Sequence, residues 1–223
     1  MSYSRFAIYF VPPKGPLADF GAAWLGWDIT SGVEATQLDV KGLRDITMTP
    51  KKYGFHGTLK PPFRLADGFS QDQLELAITA LAGSLEPATC ASLVPNTLGQ
   101  FLALTPKGDV SGLSRIAEVC VCELDRFRAP AVPTELVRRR KAGLSAEQDI
   151  LLTRWGYPYV LEEFRFHMTL SEYLPKQDLV HWSKVVGAYL PDLPKSVIFD
   201  QIALCGERVD GRFELIHRYA LTG

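Results

Sequence analysis

The hydrophobic positions of this chain fall into runs of two periods, one near two residues and one near three and a half. Residues 5 to 11 read as a strand, ended by Pro12-Pro13-Lys14-Gly15. A helix starts at Pro16, a favoured first-turn position, and carries Leu17, Phe20 and Trp24 on one stripe before Gly26. Ser70 with Gln73 forms a capping-box signature for a helix that buries Leu74, Ile78 and Leu81 and closes at Gly83. Strand-like runs follow near Thr89 to Val94 and Gln100 to Thr105, then a helix from about Ser111 to Leu124 with Leu113, Ile116, Cys120 and Leu124 at helical spacing. Ser145 with Gln148 caps a short helix running toward Trp155 and Gly156. A helix near residues 176 to 190 should turn Leu179, Trp182, Val186 and Tyr189 inward. Final runs at 196 to 205 and 212 to 221 flank Asp210-Gly211, a hairpin signal.

Two segments within this pattern repeat each other. Phe55-His56-Gly57-Thr58-Leu59 and Phe166-His167-Met168-Thr169-Leu170 both read aromatic, His, any residue, Thr, Leu. Successive side chains of a strand point to opposite faces, so His56 and Thr58 share one face while Phe55 and Leu59 share the other. The same parity puts His167 and Thr169 together, away from Phe166, Met168 and Leu170. It further predicts that His56, Thr58 and Lys60 line one side of a groove, and Arg165, His167, Thr169 and Ser171 the other. The first of these strands is expected to stop at Pro61-Pro62. Imidazole exchanges a proton near neutral pH without a perturbed pKa, and the hydroxyl two residues on adds a hydrogen-bond donor. Two such pairs facing each other would supply a proton donor, a proton acceptor and two hydroxyls around one phosphate.

The doubled His-x-Thr pattern, each copy flanked by Phe and Leu, resembles the two-histidine phosphoesterases, a superfamily that includes the LigT-like RNA 2′,3′-cyclic phosphodiesterases. The long insert, with Tyr53-Gly54-Phe55-His56 and Trp155-Gly156-Tyr157-Pro158, is similar to a bacterial branch associated with phosphonate metabolism. Gly57 departs from the family's tendency toward a larger residue between His and Thr. The resemblance implies an α+β fold of two pseudo-symmetric lobes, each a mostly antiparallel sheet with helices outside, facing each other across a central groove. Residues 1–223 would form one such two-lobed domain with an Arg- and Pro-rich insert at about 126–163. It implies His56, Thr58, His167 and Thr169 as catalytic residues: one imidazole takes a proton from water, the other gives one to the leaving oxygen, and the threonines hold the non-bridging oxygens. Which histidine is the base stays open.

Composition narrows the chemistry. The chain has 223 residues, 47% hydrophobic, enough to bury a sizeable core, and a formal net charge of −1. A nucleic-acid coat would need a basic excess, so a small phosphorylated substrate is expected ahead of RNA. No apolar run reaches membrane-spanning length and Met1-Ser2-Tyr3-Ser4-Arg5 leads into a strand, which gives the expectation of a cytoplasmic protein with no membrane partner. Cys90, Cys120, Cys122 and Cys205 lack metal spacing and read as reduced thiols. A zinc site through His56 and His167 would want for further ligands, so no metal and no cofactor are expected. His181 and His217 read as structural. Lys60 and Arg165 are the nearest candidates for substrate binding. Tyr9 and Tyr53 could close over a sugar or base, and Arg128, Arg138 or Arg139 of the insert could hold a second phosphate.

The function expected is therefore a metal-independent phosphoesterase that opens or forms a small cyclic phosphodiester, with a phosphorylated ribose linked to phosphonate utilisation as the substrate class. The rival readings are an RNA-end 2′,3′-cyclic phosphodiesterase and a non-catalytic module that binds a nucleotide or sugar phosphate. Oligomeric state is not legible in the sequence.

Overall fold

The first strand, β1 (Phe6–Phe10), is buried at every position because both of its faces are covered. Phe6, Ile8 and Phe10 enter the main core, whereas Ala7 and Tyr9 enter a smaller one on the opposite face. The computed structural model describes residues 3 to 223. In it β1 is inner to a seven-stranded antiparallel sheet of order β4-β5-β6-β2-β1-β8-β9, formed by β2 (Gly57–Phe63), β4 (Ser92–Leu98), β5 (Phe101–Lys107), β6 (Met168–Thr169), β8 (Gln201–Glu207) and β9 (Phe213–Ala220). The helices α1 (Pro16–Leu25), α2 (Leu43–Lys51), α3 (Gln71–Gly83), α4 (Ser111–Glu123) and α7 (Lys176–Tyr189) send Phe20, Trp24, Ile46, Leu74, Ile116 and Trp182 among others into the main core. At about 1.5–3 kcal/mol for each fully buried large apolar side chain, this face holds the fold together. The class is α+β, as expected, and the two halves join edge to edge through β2 and β6.

The local signals act as their physics requires. Ser70 and Gln73 close a full capping box, as do Ser145 and Gln148 at the start of α6 (Ala146–Trp155). Gly26, in the left-handed region at φ 74°, ends α1 by donating to Ala22 O. Trp24 Nε1–H donates to Leu170 O at 2.7 Å and so ties α1 to the segment after β6.

Several boundaries differ from the pattern. β2 does not stop at the prolines but runs through Pro61 and Pro62 to Phe63. Its register against β1 slips between Ile8↔Lys60 and Phe6↔Phe63, and proline, lacking an N–H, is tolerated at such an irregularity. The expected strand at 89 to 94 divides: β3 (Ala88–Cys90) leaves the main sheet to pair with β7 (Val197–Phe199), and β4 forms a hairpin with β5. Residues 196 to 205 divide in the same way into β7 and β8. Tyr189 is exposed, at the end of α7, while Trp182 and Val186 are buried. α2 has no counterpart in the sequence reading, nor has α5 (Pro133–Arg140), a surface helix of the insert with no buried residue. No helix among the described residues is long and apolar enough to cross a membrane.

Candidate active site

The two repeated segments meet at the centre of the sheet. β2 and β6 are antiparallel neighbours with Gly57 opposite Met168. Continuing that register by one residue each way sets His56 opposite Thr169 and Thr58 opposite His167, on one face, with Cβ atoms of opposite residues about 4.5–5.5 Å apart. Each imidazole therefore stands across from the other segment's hydroxyl. The opposite face carries the apolar partners, with Phe55, Leu59, Phe166, Met168 and Leu170 all buried in the main core. Strand parity thus separates a polar quartet from the residues that fix its backbone.

Both rings are oriented alike. His56 Nδ1 lies 2.9 Å from Gly54 O, and His167 Nδ1 lies 2.7 Å from Arg165 O. A carbonyl can only accept, so Nδ1 carries the proton in each ring and Nε2 keeps the lone pair. Thr58 Oγ1 is 3.1 Å from His56 Nε2 and donates to it. Tyr9 stacks on His56 with ring centroids 3.7 Å apart and 25° between planes. Phe101 lies against His167 at 5.6 Å. Burial pushes the His56 pKa down to about 4, against the weaker pull of Gly54 O, and the nearby His167 lowers it further. His167 is also lowered by burial, with Arg165 O opposing. Two neutral imidazoles, the lone pair of His56 Nε2 held by the Thr58 hydroxyl, can take up one proton between them when an anion arrives.

A cavity of about 390 Å³ opens over this face, lined by His56 and Thr169 with Tyr53, Phe101, Tyr157 and Tyr173. Its aromatic walls suit a sugar or base, and of the polar quartet His56 and Thr169 open into it. Glu172 also borders it, with its Oε2 accepting from Thr49 Oγ1 at 3.0 Å. No group of three or more His, Cys, Asp or Glu with metal-holding geometry occurs among the described residues.

Residues 58–214 match a family model described as "Protein of unknown function (DUF1045)". The chain belongs to the DUF1045 family. It is 39% identical over 183 residues to a protein of Janthinobacterium sp. (strain Marseille) named ribose 1,5-bisphosphate phosphokinase PhnN, covering 79% of this chain and 40% of that one. A protein of the same name from Laribacter hongkongensis (strain HLHK9) is 37% identical over 197 residues, covering 83% of this chain and 44% of that one. The DUF1045 chain thus spans about two fifths of the length of the curated relatives it matches. Among solved structures, E. coli LigT complexed with 3′-AMP superposes over 100% of both chains at 14% identity with a TM-score of 0.45.

The other sequence-derived candidates of the DUF1045 chain fall in several places. Tyr9 and Tyr53 are at the site, the first beneath His56 and the second in the cavity wall. Lys60 is not in the groove. It is 2% exposed, its Nζ donates to Val121 O at 2.9 Å, and Asp125 lies 3.7 Å away, because α4 and the turn at residues 125–127 cover the strand face beyond Thr58. Arg165 is turned onto its own backbone, donating to Glu162 O and Phe164 O, so strand parity fails at this residue, which precedes β6. Ser171 borders the cavity but is committed to Leu102 N and Glu172 O. Arg139 pairs with Glu135 and covers the Tyr157 ring at 4.8 Å, whereas Arg128 and Arg138 line a separate cavity. The sequence reading missed Phe101, Tyr173 and Glu172, which carry no periodic or motif signal, and gave Tyr157 no role.

Burial, opposed by the Asp125 carboxylate, lowers the Lys60 pKa to about 8 from 10.5. Below pH 8 the ammonium is charged in folded and unfolded chains alike and the full burial cost is present. Between about pH 8 and 10.5 the folded state loses its proton first, the unfolded state binds more protons, and stability rises. Urea unfolding of wild type and Lys60→Met should show that rise, up to about 3 kcal/mol, in the wild type alone. Parallel curves for the two proteins would contradict it.

Proposed function

We propose that this chain is a metal-independent two-histidine phosphoesterase that opens a cyclic phosphodiester of a phosphorylated ribose. The observation that carries the reading is the quartet His56, Thr58, His167 and Thr169 on one face of paired strands, with Nδ1 of each ring fixed by a carbonyl two residues back. His56, whose pKa is held down to about 4, is the base that removes a proton from water. His167 is protonated as the anionic substrate binds and gives that proton to the departing sugar oxygen. Thr58 and Thr169 donate to the non-bridging oxygens as charge accumulates there. Water oxygen bonds to phosphorus, one ring P–O bond breaks, the sugar oxygen leaves as a hydroxyl carrying the proton from His167, and His56 ends with the proton taken from water.

The names of the two relatives supply the substrate class. An activity that opens the 1,2-cyclic phosphate of ribose 5-phosphate at O2 yields ribose 1,5-bisphosphate, the compound those names give to a kinase. A phosphoesterase segment within such a protein would feed the kinase, and the phosphonate link expected from the resemblance goes with this reading. The kinase activity itself is not carried over: this chain has no Gly-x4-Gly-Lys-Ser/Thr phosphate loop.

The test is phosphorus NMR of the purified chain with 5-phosphoribosyl 1,2-cyclic phosphate and, separately, nucleoside 2′,3′-cyclic phosphates, in excess chelator. The five-membered cyclic resonance should give way to a monoester signal. Turnover confined to RNA ends would favour the RNA reading. Binding without turnover would favour the sensor reading. Activity lost in chelator and restored by one divalent ion would mean metal chemistry instead.

A further inference from the structure

A second cavity, of about 370 Å³, is lined by four arginines, Arg5, Arg64, Arg128 and Arg138, with Thr134, Glu135 and Gly156. Four cations converging on one concavity from β1, the end of β2 and the insert need a reason. Two are held in place from behind. Arg5 presents Nε and Nη2 to the two oxygens of Glu207, and Arg128 presents the same pair of nitrogens to Asp125, with Nη2 also on Arg154 O. Each fork leaves Nη1 outside the carboxylate pair, and Arg128 Nη1 faces Gly156, where an added Cβ would sit 3.0 Å from it. Arg64 has no carboxylate partner among the described residues and Arg138 has only Glu135 at 4.0 Å. Preoriented forks with spare donors are what bidentate phosphate recognition needs.

The two cavities are linked through neighbouring residues. Gly156 lines one and Tyr157 the other. Arg5 lies over Phe213 at 5.7 Å, Tyr53 stacks on Phe213 at 5.4 Å, and Tyr53 is 6.4 Å from His56. The Tyr9 hydroxyl is fully buried and has no hydrogen-bond partner. The Tyr9 ring stacks on His56 and lies 5.9 Å from Phe213, the residue that Arg5 and Tyr53 both contact.

We infer that the arginine cavity is a subsite for a second phosphoryl group on the same substrate whose cyclic phosphate sits between His56 and His167. This rests on the proposed activity for the identity of the first phosphate, not for the existence of the second site. It makes the distal phosphate the specificity determinant, and it assigns Arg5 and Arg64, which no sequence signal marked.

D-Ribose 5-phosphate, ribose and inorganic phosphate are the probes, titrated calorimetrically into wild type and into Arg64→Ala/Arg138→Ala, two positions whose side chains support little of the fold. Ribose 5-phosphate should bind wild type and lose at least tenfold in the double variant, and ribose should bind neither. The preference in kcat/KM for 5-phosphorylated over unphosphorylated ribose 1,2-cyclic phosphate should fall by the same factor. Loss of ribose 5-phosphate binding in a protein that turns over no cyclic phosphate would uphold the subsite and sink the activity. Turnover with ribose 5-phosphate binding within twofold of wild type in the variant would sink the subsite alone. Inorganic phosphate binding as tightly as ribose 5-phosphate, with equal losses, would mark a free-anion site and overturn the inference too.

Discussion

Replacing either His56 or His167 with Ala should lower turnover by about 10²–10⁴, the usual worth of one positioned acid or base. The fold should survive, because both histidines are only half-buried and the core is built by their neighbours Phe55, Phe166 and Met168. The pH profile separates the roles. With His56 the base, kcat/KM requires it neutral and should fall off on the acid side near pH 4. With His167 the acid, activity requires it protonated, and burial brings the alkaline limb below the ordinary histidine value of about 6.5. The free enzyme should therefore work best in mildly acid solution, and the limbs of kcat should move up because bound phosphate favours both imidazoliums. His56→Ala should lose the acid limb and His167→Ala the alkaline one. Thr58→Val and Thr169→Val should cost less, since each removes one hydrogen bond and leaves proton transfer in place. Folded His→Ala proteins turning over a confirmed substrate at the wild-type rate would make the repeated segments structural.

Gly57→Ala should be nearly as damaging, although it adds one methyl group. A Cβ at Gly57 would fall 2.2 Å from Phe166 Cζ, and the Phe166 ring is locked among Phe10 and Phe199 at centroid distances of 6.1 and 5.2 Å. The ring must move or the β2–β6 pairing must open. Overpacking of this kind costs about 1–3 kcal/mol. Phe166 precedes His167, so the displacement reaches the second imidazole, and about 1 Å of misplacement is worth on the order of 10² in rate. Urea midpoints and kcat measured together should both drop, and Phe166→Leu in the same chain should recover part of each by making room. A Gly57→Ala protein as stable and active as wild type would contradict this account. The short residue between His and Thr, a departure at the level of sequence, is thus explained by what the opposite strand puts against it.

Local order decided much in advance. Capping boxes at Ser70 and Ser145 act within four residues, and a left-handed glycine such as Gly26 ends a helix by its own φ, so these boundaries were legible without neighbours. The parity of His56 with Thr58 and of His167 with Thr169 was equally fixed, because alternation is a property of the extended backbone. Parity cannot say what covers a strand face. Lys60 obeys the alternation, yet α4 and the turn at 125–127 close over it and bury its ammonium, while Arg165, just before the short β6, turns onto its own backbone. Nor could spacing show that the two motifs pair directly, since Gly57 and Met168 are brought together by a register between segments 111 residues apart, set by the packing of Phe166 against Gly57. The sequence alone determined which two segments repeat each other and which way their imidazoles and hydroxyls point along the strands. Tertiary structure decided which side chains share a surface: the imidazoles and hydroxyls one face of the paired strands, with His56 and Thr169 opening into one cavity, and four arginines from distant segments another cavity. Burial and long-range register depend on every element that packs, and no local window contains them.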